Sequence, residues 1–175
     1  MQETDRVNPL RNIRIGKVTL NVATGKSGEP LEKAKKVLNQ LTGRKPTTKR
    51  AKKAVKDFGI RKGEPIAAVV TLRKNLGVEF LTKALDAIGN RVRVSSFDNY
   101  GNISFGIKEH IEIPGTKYVP ELGIFGMTVH VTLARPGYRI LARSIRSSRI
   151  GRRHYVSREE AISYMQDNFR TEVLS

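Results

Sequence analysis

An α+β fold is predicted: a mostly antiparallel β-sheet with two helices packed on one face, basic extended loops and a C-terminal helix. Two apolar periods, used in separate stretches, predict it. Val18, Leu20 and Val22 alternate at the two-residue period of a half-buried strand. So do Ile103, Phe105 and Ile107, and then Met127, Val129, Val131 and Leu133. Leu31, Ala34, Leu38 and Leu41 recur instead at helical spacing, as do Leu76, Phe80, Leu81, Ala84, Leu85 and Ile88.

Taken in order, residues 1–10 read as a flexible arm. Ile13 and Ile15 lead into the first strand through a phase slip at Gly16 and Lys17, which predicts a bulge. Residues 23–30 form a turn. The first helix follows and stops at Gly43, a natural left-handed cap. Pro46, Thr47 and Thr48 open a basic segment, extended or loop-like over 51–58, in which Ala51, Ala54, Val55 and Phe58 offer packing surface. A turn over 59–65 feeds a buried strand at 66–72, and the second helix closes at Gly89. Strands are expected at 92–94, 103–107 and 127–133, the last with Thr128, His130 and Thr132 on its alternate face. Residues 98–102 are a turn. Residues 135–153 have no clean period and are expected to be ordered mainly by a partner. Ser157 and Glu160 spell a capping box ahead of a short helix through Ala161, Ile162, Met165 and Phe169. The organisation is thus an arm (1–10), an α+β domain (11–135), an Arg-rich extension (136–156) and a C-terminal helix with its tail (157–175).

Charge gives the strongest functional signal. Thirty-three Lys and Arg face 16 Asp and Glu, a formal net charge of +17 on 175 residues. Such an excess opposes compaction and points to a polyanionic partner. It is concentrated in two runs. Between 41 and 61, Arg44, Lys45, Lys49, Arg50, Lys52, Lys53, Lys56 and Arg61 meet only Asp57. Between Leu122 and Arg158 there is no Asp or Glu, whereas Arg135, Arg139, Arg143, Arg146, Arg149, Arg152 and Arg153 all fall there. A solvated face accounts for one such run more readily than for two.

Other chemistries find little support. With no Cys, disulfides, thiolate catalysis and Cys-ligated zinc are excluded together. The longest apolar run, about 66–70, falls far short of the ~20 residues of a membrane span. The polar start has no signal-peptide pattern, so a cytoplasmic location without membrane contact is expected. Gly25, Lys26 and Ser27 resemble the end of a phosphate-binding loop, but Leu20 stands where its first glycine belongs. His110, His130 and His154 lack metal-ligand spacing. His154 is a candidate phosphate contact and His130 faces solvent or RNA. Glu109 and Glu112 read as surface carboxylates, and Phe97 and Tyr100 are candidates for base stacking. No catalytic residue, metal site or cofactor is expected. No zinc finger, basic zipper or recognition helix is visible, so RNA, recognised by shape, phosphates and 2′-hydroxyls, suits the chain better than DNA.

The strings themselves are more specific. The run IRIGKVTLNV, then LTGRKP, then IRKGEPIAAVVTLR, resembles the N-terminal half of the universal large-subunit ribosomal protein family that binds 5S rRNA, the family numbered five. SFDNYGNISFGIKEH resembles a second signature of that family, and the resemblance spans about 8–135. The tail from Gly137 to Phe169 resembles the archaeal and eukaryotic branch, most closely an archaeal member. The resemblance implies a structural, non-enzymatic role in the central protuberance of the large ribosomal subunit. Implied partners are 5S rRNA, large-subunit rRNA, neighbouring central-protuberance proteins, P-site tRNA and a small-subunit head protein across an intersubunit bridge. Carried over residue by residue, it implies 5S rRNA contacts at Asn21, Arg44 and Thr71. Many members carry Gln where Arg44 stands, an exchange of amide bonding for a charged fork. Lys17, Lys26, Lys45, Lys49, Arg50, Arg73 and Lys74 would add phosphate attraction. Thr48, Lys49, Arg50, Lys52, Lys53 and Lys56 correspond to a mobile loop facing tRNA, and Arg143, Arg146, Arg149, Arg152 and Arg153 to further RNA contacts. The competing readings are a basic accessory protein of RNA processing and a non-specific RNA annealer. The first would need an acid/base pair or metal site; the second needs no ordered fold.

Overall fold

A computed structural model describes residues 8–174. Residues 1–7 of the expected arm lie outside the described residues. Asn8 accepts a hydrogen bond from the Leu10 N–H (3.0 Å) and opens a 3-10 turn at Pro9–Arg11. Strand β1 (Arg14–Ala23) is followed by helix α1 (Glu29–Thr42), strands β2 (Thr47–Arg50) and β3 (Pro65–Leu72), and helix α2 (Lys74–Ala87). Then come β4 (Arg91–Arg93), β5 (Asn102–Ile107), β6 (Met127–Ala134), the single turn α3 (Arg139–Ala142), α4 (Arg158–Phe169) and β7 (Glu172–Leu174).

The main sheet has the order β2-β3-β1-β6-β5, with every neighbouring pair antiparallel. Period-two alternation sends Val18, Leu20, Val22, Val70, Leu72, Val129, Val131 and Leu133 to one side, where all are buried in the core, with α1 packed on β3 and α2 on β1. The expected bulge is present: the β1–β6 register shifts between Ile15 and Lys17. The α+β class and the two helices on one face are therefore as the apolar periods predicted.

Helix α1 ends at Gly43, whose φ of 62° is left-handed and whose N–H reaches the Asn39 carbonyl at 2.8 Å. Helix α2 departs from expectation at its start. Leu76 is exposed, and the buried stripe runs Gly77, Phe80, Leu81, Ala84 and Leu85. Lys74, the first residue of α2, has a left-handed φ of +55°. Gly77 lets α2 approach closely: a Cβ there would stand 3.4 Å from the Leu72 carbonyl oxygen.

Other expectations are corrected. The turn at 23–30 is shorter, because α1 starts at Glu29. The segment from 47 to 50 is an edge strand. Of the apolar residues expected to pack the basic segment, only Ala51 is buried; Phe58 is 75% exposed. Val94 leaves the strand for a 3-10 turn, and β4 pairs in parallel with β7, a strand the sequence did not suggest. The arginine-rich stretch is held at both ends by its own chain. Arg135 is buried and donates to Glu160 at 2.5 Å and to the Arg153 carbonyl at 3.3 Å. The Tyr138 hydroxyl donates to the His154 carbonyl (3.1 Å) and accepts from the Val156 N–H (3.2 Å). The capping box of α4 is present in full.

Candidate nucleic-acid interface

With one side of the sheet under helices, the other is open, and register dictates what it shows. Thr47, Val69, Asn21, Thr128 and Gly106 form one row across all five strands. Thr71, Thr19, His130 and Ser104 form the next, and Lys17, Thr132 and Asn102 a third. The His130 Nδ1 and the Ser104 hydroxyl lie 2.9 Å apart. Apart from Val69 these rows carry donors, acceptors or bare backbone. A sheet face made of hydroxyls, amides and imidazole is suited to directional hydrogen bonds with a hydrated surface rather than to a second apolar layer.

One edge of this face deepens into a groove of about 730 Å³ lined by Arg44, Lys45, Thr47, Lys49, Thr71, Arg73 and Lys74, with Val69 and Leu76 among its apolar walls. Local structure builds it. The left-handed Gly43 ends α1, and the Thr42 hydroxyl, donating to the Leu38 carbonyl (2.6 Å) and accepting from the Arg44 N–H (3.3 Å), turns the chain outward. Arg44 and Lys45 are thus delivered to the start of β2, while Arg73 and Lys74 leave the adjoining end of β3. Residues far apart in sequence come to line one concavity.

Among the described residues, the ion pairs are Lys33–Glu29, Lys35–Glu32, Arg91–Glu172 and Arg135–Glu160. None involves a groove cation. Nor does any include Lys52, Lys53 or Lys56, which sit on the connection from β2 to β3. That connection, expected as a mobile loop, is a finger with its own backbone ladder. Ala51 N–H donates to the Glu64 carbonyl (2.8 Å), Gly63 N–H to the Ala51 carbonyl (2.9 Å), and Val55 and Ile60 bond reciprocally (2.9 and 3.1 Å). A 3-10 turn at Lys56–Phe58 forms the tip and presents Phe58. At the base, the Arg61 N–H and then the Ser27 hydroxyl hold the Glu64 carboxyl below its usual range, at 3.0 and 2.8 Å. Ser27 therefore braces the finger rather than forming part of a phosphate loop.

The sequence-derived candidates divide as follows. Arg44, Lys45, Lys49, Thr71 and Arg73 share the groove. Asn21 lies beside it on the open face, across from Val69. Lys17 is on the same face at the end where Leu72 pairs with Val18. Lys26 is not with them; it sits on the turn at the opposite end, next to Ile66. Thr48 pairs with Ala68 within the sheet, and Arg50 with Pro65. Arg143, Arg146 and Arg149 are exposed with no regular structure, and Arg152 and Arg153 are exposed in a 3-10 turn. They line no part of the groove. His154 Nε2 is engaged by the chain itself, donating to the Pro136 carbonyl at 2.9 Å. Phe97 is buried and unavailable for stacking, whereas Tyr100 is 63% exposed against Tyr155. Sequence reasoning missed Thr19, Thr47 and Ser104 as members of the face; for Thr19 and Ser104 the alternation with buried neighbours was the signal, whereas Thr47 lies on a strand with no buried residue and gave none. No described cluster of His, Asp or Glu is arranged to hold a metal ion, and no described helix is long and apolar enough to cross a membrane.

Comparison with known proteins decides the family. Residues 8–61 match the family model described as Ribosomal protein L5, and residues 65–164 match the model of the same ribosomal family's C-terminus. The chain belongs to the ribosomal protein L5 family. This is a structural, non-enzymatic family. The large ribosomal subunit protein uL5 of Sulfolobus acidocaldarius is 51% identical over 174 residues, covering 99% of this chain and 98% of that one. That of Pyrobaculum aerophilum is 54% identical over 159 residues, 91% of this chain and 89% of its own. That of Nitrosopumilus maritimus is 45% identical over 162 residues, 93% and 94% respectively. The L5 likeness thus runs through the basic extension into α4, as the resemblance of the tail implied.

Proposed function

We propose that the chain is a structural constituent of the large ribosomal subunit in the cytoplasm, associates with large-subunit rRNA and anchors 5S rRNA through the open sheet face and the basic groove beside it. One observation carries this reading: cations without acidic partners among the described residues line the groove, and directional polar groups continue it across the face. Asn21 and Thr71 supply hydrogen bonds sensitive to RNA shape. Arg44, Lys45, Lys49, Arg73 and Lys17 supply phosphate attraction. Filter binding to 5S rRNA and to an unrelated RNA of equal length, at physiological salt, tests it. A strong 5S preference without RNA turnover is expected; a ratio near one would make the chain a non-specific annealer.

The finger between β2 and β3 is assigned to P-site tRNA. Its support is the projection of Lys52, Lys53 and Lys56, with Phe58 at the tip, away from the groove and with no ion-pair partner among the described residues. Because the chain has no Cys, Lys53→Cys provides a unique site for a tethered radical source. Cleavage of P-site tRNA in reconstituted ribosomes is expected; cleavage confined to rRNA would reassign the finger. The exposed Arg143, Arg146, Arg149, Arg152 and Arg153 are assigned to further rRNA contacts. Contacts with central-protuberance neighbours and with a small-subunit head protein rest on the family resemblance alone. Crosslinking from the assembled subunit, which should return both partners, tests them.

A further inference from the structure

On the helical layer, away from the RNA face, a pocket of about 400 Å³ opens between α1, α2 and the segment after β5. Its size falls within the ~300–1,000 Å³ typical of ligand sites. Val37, Leu41, Phe80 and Ile113 provide apolar walls, and Lys83 and Lys117 stand exposed at its edge. His110 lines it too, although the residue is only 3% exposed. The tautomer follows from geometry: Nδ1 accepts the Phe125 N–H at 3.2 Å, so in the neutral ring the hydrogen sits on Nε2. Burial lowers the His110 pKa, which keeps the ring neutral near pH 7. That Nε2–H donates to no described residue. The Thr116 hydroxyl on the same wall is buried and likewise has no partner among the described residues. Polar groups left in this way favour a site in which an acceptor arrives from outside.

The chemistry of the lining is one-sided. Its titratable groups are Lys83, Lys117 and His110, with no carboxylate among them. Glu79 borders the neighbouring hollow, and Glu109 and Glu112 lie outside the lining. Apolar walls with cations and a locked N–H donor above them match an aliphatic side chain beside a carboxylate. RNA fits less well, since Phe80 is buried and no aromatic face is offered for stacking. We propose that this pocket docks a segment of a partner protein in which an aliphatic side chain is flanked by a carboxylate. Because it lies on the opposite layer from the sheet face, this partner and RNA can be held at once.

The test uses the full chain, isotope-labelled, at physiological salt, followed by NMR at the His110 ring and the Thr116 methyl. The probe is N-acetyl-Leu-Glu-Leu-amide. Saturable shifts at both residues are expected, with N-acetyl-Leu-Lys-Leu-amide and N-acetyl-Gly-Glu-Gly-amide each at least about 10-fold weaker, a difference of ~1.4 kcal/mol. The Lys83→Glu/Lys117→Glu variant, altered only at exposed positions, should reverse the preference between the Glu and Lys peptides. Equal response to the three peptides, or none, overturns the proposal. Displacement of the Glu peptide by decauridine from the same residues also overturns it and makes the pocket an RNA contact.

Discussion

Thr71 and Lys74 line one groove, yet their side chains answer to different forces. Thr71 is exposed on the open face opposite Thr19, and its hydroxyl has no protein partner among the described residues. Thr71→Val keeps the β-branched shape that suits a strand, so stability should stay within roughly 0.5 kcal/mol. Loss of one hydrogen bond, about 0.5–1.5 kcal/mol, should weaken 5S rRNA binding by about 2- to 10-fold. Equal losses of melting temperature and affinity would make Thr71 a packing residue. Lys74 holds a left-handed φ of +55° where only glycine is unstrained. Nothing in the fold requires a lysine there, and its charge faces the groove. Lys74→Gly is therefore expected to raise unfolding stability, by up to about 1 kcal/mol, while weakening RNA binding. A fall in both quantities would show that the backbone is not strained.

At the level of elements, α4 shows how one side chain ties two segments. Glu160 accepts the Ser157 N–H at 3.0 Å, completing the capping box, and also receives the buried Arg135. Burial pushes its carboxyl up, but the Ser157 N–H and the Arg135 guanidinium together hold it below its usual 4.5. Ser157→Ala should cost about 1 kcal/mol. Glu160→Gln preserves the cap geometry but leaves Arg135 without a counter-charge, so its loss at pH 7 should be larger. With the Glu160 side chain 42% exposed, that loss stays below the ~3–5 kcal/mol of a fully buried broken pair. A carboxyl with a depressed folded pKa stabilises above its unfolded value and ceases to as pH falls through the folded one. Urea unfolding should therefore show the gap between native chain and Glu160→Gln closing below about pH 4.5. A gap that stays constant well into acid would assign it to packing. The Ser157/Glu160 signature was legible because a cap is local, and the apolar strands because alternation is local. Strand β2, Thr-Thr-Lys-Arg, was not: it has no apolar residue, and its one paired edge is a property of β3. Strand β7 depends on Arg91 and Asn90, distant in the chain, and so left no local mark. The residues of the groove were largely legible, Arg44 and Thr71 from motif likeness and Lys45, Lys49, Arg73 and Lys74 as phosphate-attracting cations, but only the fold gathers them into one concavity and adds Thr47.

For the molecule as a whole, a net charge of +17 raises the question of whether charge or shape selects the RNA. The two contributions respond differently to salt. Each neutralised phosphate releases counterions, contributing roughly 0.7 to 0.9 to the log–log slope of affinity against salt. Engagement of about five phosphates by Arg44, Lys45, Lys49, Arg73 and Lys17 then gives a slope of about −3.5 to −4.5 for 5S rRNA. An unrelated RNA should also bind more weakly as salt rises, because the same cations attract any backbone. Hydrogen bonds from Asn21, Thr71, Thr19 and His130 release no counterions. They should therefore leave the ratio of the two affinities nearly unchanged between roughly 50 and 200 mM salt. Parallel slopes with a constant preference are the expected result. A salt-insensitive 5S affinity would remove the cations from the binding account, and a preference that vanishes as salt rises would mean that the polar face contributes no selectivity.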